Sequence, residues 1–536
     1  MRVTSIGHAG MLVETSAGSI LCDPWFHPAF FGSWFPFPRN DQLSGDLVAR
    51  IENADFLYVS HLHGDHHDEP WLTDHLRRDI PIILPGFPSI EQKKTLAALG
   101  FTEFIRTTHT KEHEIAPGLR VAVHVETSIT DGPGGDSALV VMADDAIVVN
   151  QNDCRTTDLG QLRSHGPVDL HWLQFSGAIW YPMVYEMDPE AKRAAAVAKV
   201  DAQFARAMRY VEKVDARAVV PSAGPPCFLD PELFHLNVID GDEVSIFPDQ
   251  REFLSRLADA DRTGVMNVPG TAIEIDTTRS GADGIAVTHP FDEVEVRAIF
   301  DDKRAYLERY QADWMPWIDD MKASWARQAA EPSRDLLGEL QEWWHPLLEM
   351  CPTIRSQIGA NVVLRALGDD ESGVEPLDIV IDFPAGEVRE HADEPSSFRF
   401  DVDRRLVETV VAQRAVDWSN SLFLSCRFVA WRDGEFNEYV YNFLKSLLRS
   451  RMRRAEAEAV SKLAPPDPDA LAAEPDIRVG DYVVQRRCPH RDADLEAFGE
   501  VDGCEFVCTL HGWRFDLDTG ACLTSPGHQL RIRRAD

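Results

Sequence analysis

Near the C-terminus the chain reads Cys488-Pro-His490, then seventeen residues, then Cys508-Thr-Leu-His511, followed at once by Gly512-Trp513-Arg514-Phe515-Asp516. Two thiols and two imidazoles on two loops can hold metal. A two-iron cluster takes two thiolates on one iron and two neutral imidazoles on the other. A zinc ribbon uses the same four side chains, but it has no need of the His-Gly-Trp tail. A second set of metal-binding side chains lies near the N-terminus, in Ser60-His61-Leu62-His63-Gly64-Asp65-His66-His67-Asp68. His61 and His63 could serve one ion, and Asp65 and His66 another. The plainer reading is a polar, His-rich loop.

These residues need elements to hold them. The apolar run Phe56-Leu-Tyr-Val59 reads as a buried strand ending in the ligand loop. Val3 to Thr15 reads as two short strands, and Ser19 to Trp25 as a further strand and turn. Beyond the loop the pattern predicts a helix over Trp71–Arg78, a strand over Ile80–Leu84, a helix ending at Leu99-Gly100, and hairpin-like strands through Val125. A long Ala-rich helix over Pro189–Val214 precedes the strand Ala218-Val-Val-Pro221. Alternation of this kind fits an αββα sandwich.

The C-terminal pattern resembles the ring-hydroxylase branch of Rieske [2Fe–2S] proteins, down to the tail Cys508-x-x-His-Gly-Trp-x-Phe-Asp-x-x-x-Gly520. The resemblance implies Cys488, His490, Cys508 and His511 as cluster ligands. High-potential Rieske proteins carry a disulfide between the ligand loops. The positions beside His490 and His511 are not Cys, and Cys504 and Cys522 are misplaced for it. A potential near the low end of the range, about −150 mV, follows. Such a cluster only carries electrons, so a second site must use them.

The N-terminal run resembles the metallo-β-lactamase superfamily motif His-x-His-x-Asp-His. With the opening strands it looks like the branch that contains L-ascorbate-6-phosphate lactonase. The resemblance implies His61, His63, Asp65 and His66 as metal ligands, and a bridging aspartate after a later apolar strand. Asp153, in Ala146-Ile-Val-Val-Asn-Gln-Asn-Asp153, fills that place. A third His is expected near Val121-Ala-Val-His124, where His124 falls a few residues early and is equally a packed strand histidine. The last His should follow Pro221, yet none occurs before His235. A depleted set favours one metal with open positions. Two His and a carboxylate suit non-haem Fe(II), with zinc as the alternative. A Rieske module joined to a reduced lactamase-type site resembles CMP-N-acetylneuraminate hydroxylase, which carries the modules in the opposite order.

The expected fold class is α/β plus β: an αββα metallo-β-lactamase sandwich over 1–240, an α+β accessory region over 241–463 that partly extends it, a Pro-rich linker over 464–475, and a small β-sandwich Rieske domain over 476–536. Gln174-Phe-Ser-Gly-Ala-Ile-Trp180-Tyr181-Pro-Met-Val-Tyr185 reads either as a pocket lid or as core. Asp65, His66 and Tyr181 are the candidate catalytic residues. The leading expectation is an oxygenase that hydroxylates or N-oxygenates a small organic substrate with O₂, its electrons coming from a ferredoxin or flavin reductase. The rival is a lactonase-like hydrolase with a redox-sensing Rieske domain; a non-catalytic electron carrier is third.

Composition narrows the field. A net charge of −35 speaks against a nucleic-acid partner, because phosphate binding needs basic surface. The basic run Lys445 to Arg454 is either a docking face for an acidic ferredoxin or an ordinary charged helix. No stretch of about twenty apolar residues is present, so no membrane partner is expected. The start goes straight into a strand without signal-peptide features. Nine cysteines, two of them cluster ligands, do not form a disulfide framework, and a cytoplasmic setting is expected.

Overall fold

A computed structural model describes residues 1–126, 135–156, 159–177, 180–239, 244–329, 335–370, 373–463, 474–490, 493–510, 513–524 and 528–535. The chain divides into two compact units, Met1–Ile179 with Arg193–Ile318, and Trp180–Lys192 with Asp319–Asp536. The expected linker lies outside the described residues over 464–473.

The first unit is built on two sheets. The strands β1 (Arg2–Gly7), β2 (Gly10–Thr15), β3 (Gly18–Cys22), β4 (Phe56–Tyr58), β5 (Ile82–Leu84) and β6 (Phe104–Arg106) belong to the first. The second holds β7 (Glu112–Ala116), β8 (Leu119–Glu126), β9 (Asp136–Ala143), β10 (Ala146–Asn152), β11 (Leu170–Gln174) and β12 (Ala218–Ser222), in the order β12-β11-β10-β9-β8-β7. Val121, Val123, Leu139, Val141, Val148 and Trp172 from the second sheet pack on Val3, Met11, Val13, Ile20 and Tyr58 from the first. Helices cover the outer faces: Leu47 and Ile51 of Gly45–Glu52 join the core behind the first sheet, and Val214 of Pro189–Val214 joins that behind the second. This is the αββα sandwich.

The first sheet is eight-stranded, because β13 (Ala272–Ile275) pairs antiparallel with β1 and β14 (Ile285–Thr288) pairs with β13. The first unit therefore runs well past the boundary expected at 240. Strands of four residues carry too short a period to be read from sequence, and their partner is at the other end of the unit. The helix expected over Trp71–Arg78 spans Glu69–His75, started by Asp68, whose side chain accepts from the Trp71 amide. The Pro189–Val214 helix has the predicted bounds.

In the second unit a five-stranded sheet runs β17 (Glu387–Glu390), β16 (Leu377–Asp382), β15 (Asn361–Leu367), β18 (Phe398–Asp403), β19 (Phe428–Arg432). The strand β19 begins only at Phe428, because Ser421–Cys426 before it closes turns, with the Ser425 amide donating to the Ser421 carbonyl at 3.2 Å. The segment Trp180–Lys192 joins β19: the Glu186 amide donates to the Ala430 carbonyl (2.8 Å), and the Ala430 amide to that of Val184 (2.9 Å). Within the basic run, Arg451 is buried 3.7 Å from Asp417 and Met452 is buried too, so the run is not one continuous exposed face. Two three-stranded sheets close the chain, β20 (Ile477–Val479), β21 (Tyr482–Val484) and β25 (Ile532–Arg534), and β22 (Gly499–Asp502), β23 (Glu505–Cys508) and β24 (Trp513–Asp516). Among the described residues no helix is long and apolar enough to cross a membrane.

Candidate functional site

The N-terminal ligand loop grows out of β4, a fully buried strand lying parallel between β3 and β5. Loops at the C-terminal ends of parallel strands are where such sheets collect ligands. The Ser60 amide donates to Asp23 Oδ1 (2.7 Å), tying the loop to the end of β3. The His66 and His67 amides both donate to the His63 carbonyl, at 3.0 and 2.8 Å. That fold-back brings His61, Asp65 and His66 together.

His66 is the hub. Its Nδ1 lies 3.3 Å from Asp23 Oδ2 and 3.3 Å from Ser60 Oγ. Its Nε2 faces Asp153 Oδ1 at 3.5 Å and Asp65 Oδ2 at 3.8 Å. Asp65 Oδ2 also meets His8 Nε2 at 3.0 Å. His61 sets Nδ1 3.3 Å from Asp136 Oδ1 and Nε2 2.8 Å from His63 Nδ1. Two overlapping groups result, His8–Asp65–His66 and His61–His66–Asp153, each with donor atoms within 4.8 Å of one another.

Buried polar atoms are ordinarily hydrogen-bonded. Here His8 Nδ1, His63 Nε2, Asp65 Oδ1, His66 Nε2 and Asp153 Oδ1 are buried with no hydrogen-bond partner. His66 Nε2 and Asp153 Oδ1 face each other across the same small space. The donor set fits a metal cation, which would satisfy both. The charges agree with this. Burial opposes the ionised forms of Asp65 and Asp153, yet the neighbouring His66 holds both carboxyls below the usual carboxylate range. Burial and the nearby His61 push the His63 imidazole well below its ordinary value. Burial also works against the charged forms of His61 and His66, but Asp136 and Asp153 respectively outweigh it and raise them.

Other candidates go elsewhere. On β8, Val121 and Val123 enter the core between the sheets, whereas Ala122 packs on the opposite face. Strand alternation puts His124 with Ala122, where its Nε2 meets His165 Nε2 at 3.1 Å. His124 is therefore a histidine of the outer face and not of the metal group. Asp68 is occupied with the Phe26 and His27 amides (2.8 and 2.7 Å) and with its helix cap. Tyr181 packs in the second unit, against Tyr185 (5.0 Å between ring centroids) and under the Arg432 guanidinium (5.3 Å). At the end of β12, where a last His was expected, the buried residue is Ser222, and His235 is exposed. Sequence reasoning passed over Asp136. His8 sits at the turn between β1 and β2 with φ 51°, a left-handed conformation that an imidazole seldom adopts without a reason.

At the C-terminal site Cys488 and Cys508 are fully buried, and Cys508 ends β23. The His490 ring stacks on Trp513 with centroids 3.8 Å apart and planes 11° apart. His490 buries Nδ1 and turns Nε2 toward Glu438 Oε2, 3.7 Å away. Glu438 Oε1 takes His528 Nε2 at 2.8 Å, and Lys462 Nζ stands 3.6 Å from Oε2. Glu438 is itself buried; burial works against its charge, but His528 and Lys462 hold it below the ordinary range. Two buried thiols and an inward Nδ1 fit an iron–sulfur cluster. His511 lies outside the described residues.

Fold and sites define a protein with an αββα sandwich that holds a ligand-rich centre, and a C-terminal Rieske domain. The Rieske [2Fe-2S] domain family matches residues 476–532, and the Rv3818-like, SCP2-like domain family matches 336–461. The chain is 42% identical over its whole length to the whole of the Rieske 2Fe-2S iron-sulfur protein Rv3818 of Mycobacterium tuberculosis. It belongs to that family of Rieske 2Fe-2S iron-sulfur proteins. The cytidine monophosphate-N-acetylneuraminic acid hydroxylase of Danio rerio is 30% identical over 34% of this chain and 31% of its own. Among solved structures, the metallo hydrolase Igni18 of Ignicoccus hospitalis matches 54% of this chain and 99% of its own, at 16% identity and a TM-score of 0.33. The accessory region, without a recognisable motif in the sequence, is thus SCP2-like over most of its length.

Proposed function

We propose that the protein is a Rieske-dependent oxygenase that hydroxylates or N-oxygenates a small organic substrate in the lactamase-type pocket. One observation carries this reading. A single chain holds an electron-carrying Rieske domain and a separate buried centre in which several His and carboxylate atoms have no hydrogen-bond partner. The partial likeness to a hydroxylase supports it. A non-haem iron in that centre supplies dioxygen activation, and the cluster supplies electrons one at a time.

The residues divide the work. Cys488, His490, Cys508 and His511 hold the cluster, and His490 turns an edge outward toward Glu438. His61, His66 and Asp153, or His8, Asp65 and His66, hold the iron; His63 stands next to His61. Asp65, kept ionised by His66 and His8, orients His8 and offsets positive charge in the centre. Because His66 Nδ1 faces Asp23, only Nε2 is left to bind, and one lone pair serves one ion. A single iron is the proposed content. The electron donor is a separate ferredoxin or flavin reductase, since the chain carries no nicotinamide fingerprint.

The test combines metal analysis with reductant-dependent O₂ consumption over a panel of metabolites. Iron beyond two per chain, with uptake that one metabolite stimulates, is the expected result. Anomalous scattering that places two fully occupied zinc ions in the N-terminal centre would overturn the oxygenase and favour a lactonase-like hydrolase.

A further inference from the structure

The helix Pro189–Val214 carries Lys199, Gln203, Arg206 and Tyr210 at spacings of four, three and four, so they share one face. Tyr210 Oη donates to the Thr156 carbonyl at 3.0 Å, which sets that face against the chain just beyond Asp153. Arg155 belongs to the same stretch. Arg155, Lys199 and Arg206 stand close enough for their charges to act on one another, and Asp153 of the metal centre acts on Arg206. All three cations are half-buried, so each is partly shielded from water yet still reachable from it. Among the described residues neither Arg155 nor Lys199 makes a hydrogen bond or an ion pair. Burial and the neighbouring arginines press the Lys199 ammonium down to about 7, and burial with Arg155 presses Arg206 down to about 9. Arg155 and Lys199, like charges acting on each other and without an ion-pair partner, are costly unless something anionic joins them.

We propose that Arg155, Lys199 and Arg206 form an oxyanion-binding subsite beside the metal centre, which takes a carboxylate or phosphate group of the substrate. The word substrate rests on the oxygenase reading; the anion site does not. The position follows from the chemistry. Arginine offers a planar fork and lysine a point charge to an oxyanion, and Asp153 links the cluster to the reacting centre.

Calorimetric titration of the full-length protein with inorganic phosphate, and separately with succinate, tests this. Saturable binding of one of them is expected, weakened about tenfold or more in both Lys199→Met and Arg155→Met. Phosphate alone would point to phosphoesters, and succinate alone to carboxylates. With no anion added, Lys199→Met should melt above the wild type, because it removes a like charge from a crowded place; a merely structural lysine would give the opposite. His61→Ala should keep anion binding. Binding lost in His61→Ala but kept in Lys199→Met would put the anion on the metal and overturn the subsite. So would binding of neither anion at millimolar concentration. Anion binding lost in Lys199→Met, in a protein without reductant-dependent O₂ uptake, would keep the subsite and reject the oxygenase; uptake without anion binding would do the reverse.

Discussion

His61, Asp65 and His66 sit side by side in a buried loop, while Cys488, His490 and Cys508 sit in another domain altogether. If the proposed oxygenase reading holds, electron storage and oxygen chemistry should therefore separate by mutation. His61→Ala and Asp65→Ala are expected to lose turnover by about a hundredfold or more while the Rieske electron-paramagnetic signal stays intact. Full turnover by either variant would remove the loop from the reaction. Glu438 makes a subtler claim. A buried carboxylate 3.7 Å from His490 Nε2 favours the more positive, oxidised cluster. Glu438→Gln should raise the midpoint potential by tens of mV, an estimate on the order of one screened charge at close range, with absorbance and iron content unchanged. An unshifted potential would leave Glu438 a purely structural contact.

At the scale of elements, the centre depends on three chain turns more than on any one helix. The turn after β1 presents His8, the end of β3 presents Asp23, and the end of β10 presents Asp153 to the loop that follows β4. The SCP2-like region is stabilised differently, by aromatic packing. Trp344 is fully buried in the helix Leu336–Glu349, with Trp418 at 5.0 Å and Phe443 at 6.1 Å between centroids. Trp344→Ala should cost about 3–5 kcal/mol, the usual range for deleting a buried aromatic ring. Chemical denaturation followed by tryptophan fluorescence would read the loss. Phe443 lies on the helix Glu438–Lys445 that carries Glu438. The same variant should therefore also loosen the Rieske domain, seen as faster proteolysis after residue 475.

For the whole molecule, two compact units imply that damage to one need not unfold the other. Cys488→Ser should abolish the cluster while the first unit keeps its fold. Visible absorbance, iron content and limited proteolysis would check this. Collapse of the first unit in that variant would mean a single cooperative structure. The Rieske domain itself shares a unit with the SCP2-like region, through Glu438, His528 and Lys462. The loss of the cluster is thus expected to be felt first there, as a lower melting temperature of the second unit.

The ligand types were legible in the sequence because each set is local. His61 to His66 is one loop, Cys488 and His490 another, so their residue types mark them as candidate metal ligands, and the resemblance to known motifs narrows the chemistry. Asp153 was offered by the resemblance, and it lies within reach of His61 and His66. What the sequence withheld lies far apart along the chain. His8 meets Asp65 across fifty-seven positions, and Glu438 meets His528 across ninety. No local pattern encodes such meetings; they follow from which strands lie side by side and which faces pack. His124 shows the same limit at close quarters: its type suits a metal, but the pairing of β8 turns it to the outer face. The extent of the first unit was hidden for a related reason, as β13 and β14 are four residues each and gain meaning only once β13 pairs with β1 and β14 with β13. Short-range chemistry is written in residue order, whereas partners, faces and boundaries are decided by the burial that folds the chain.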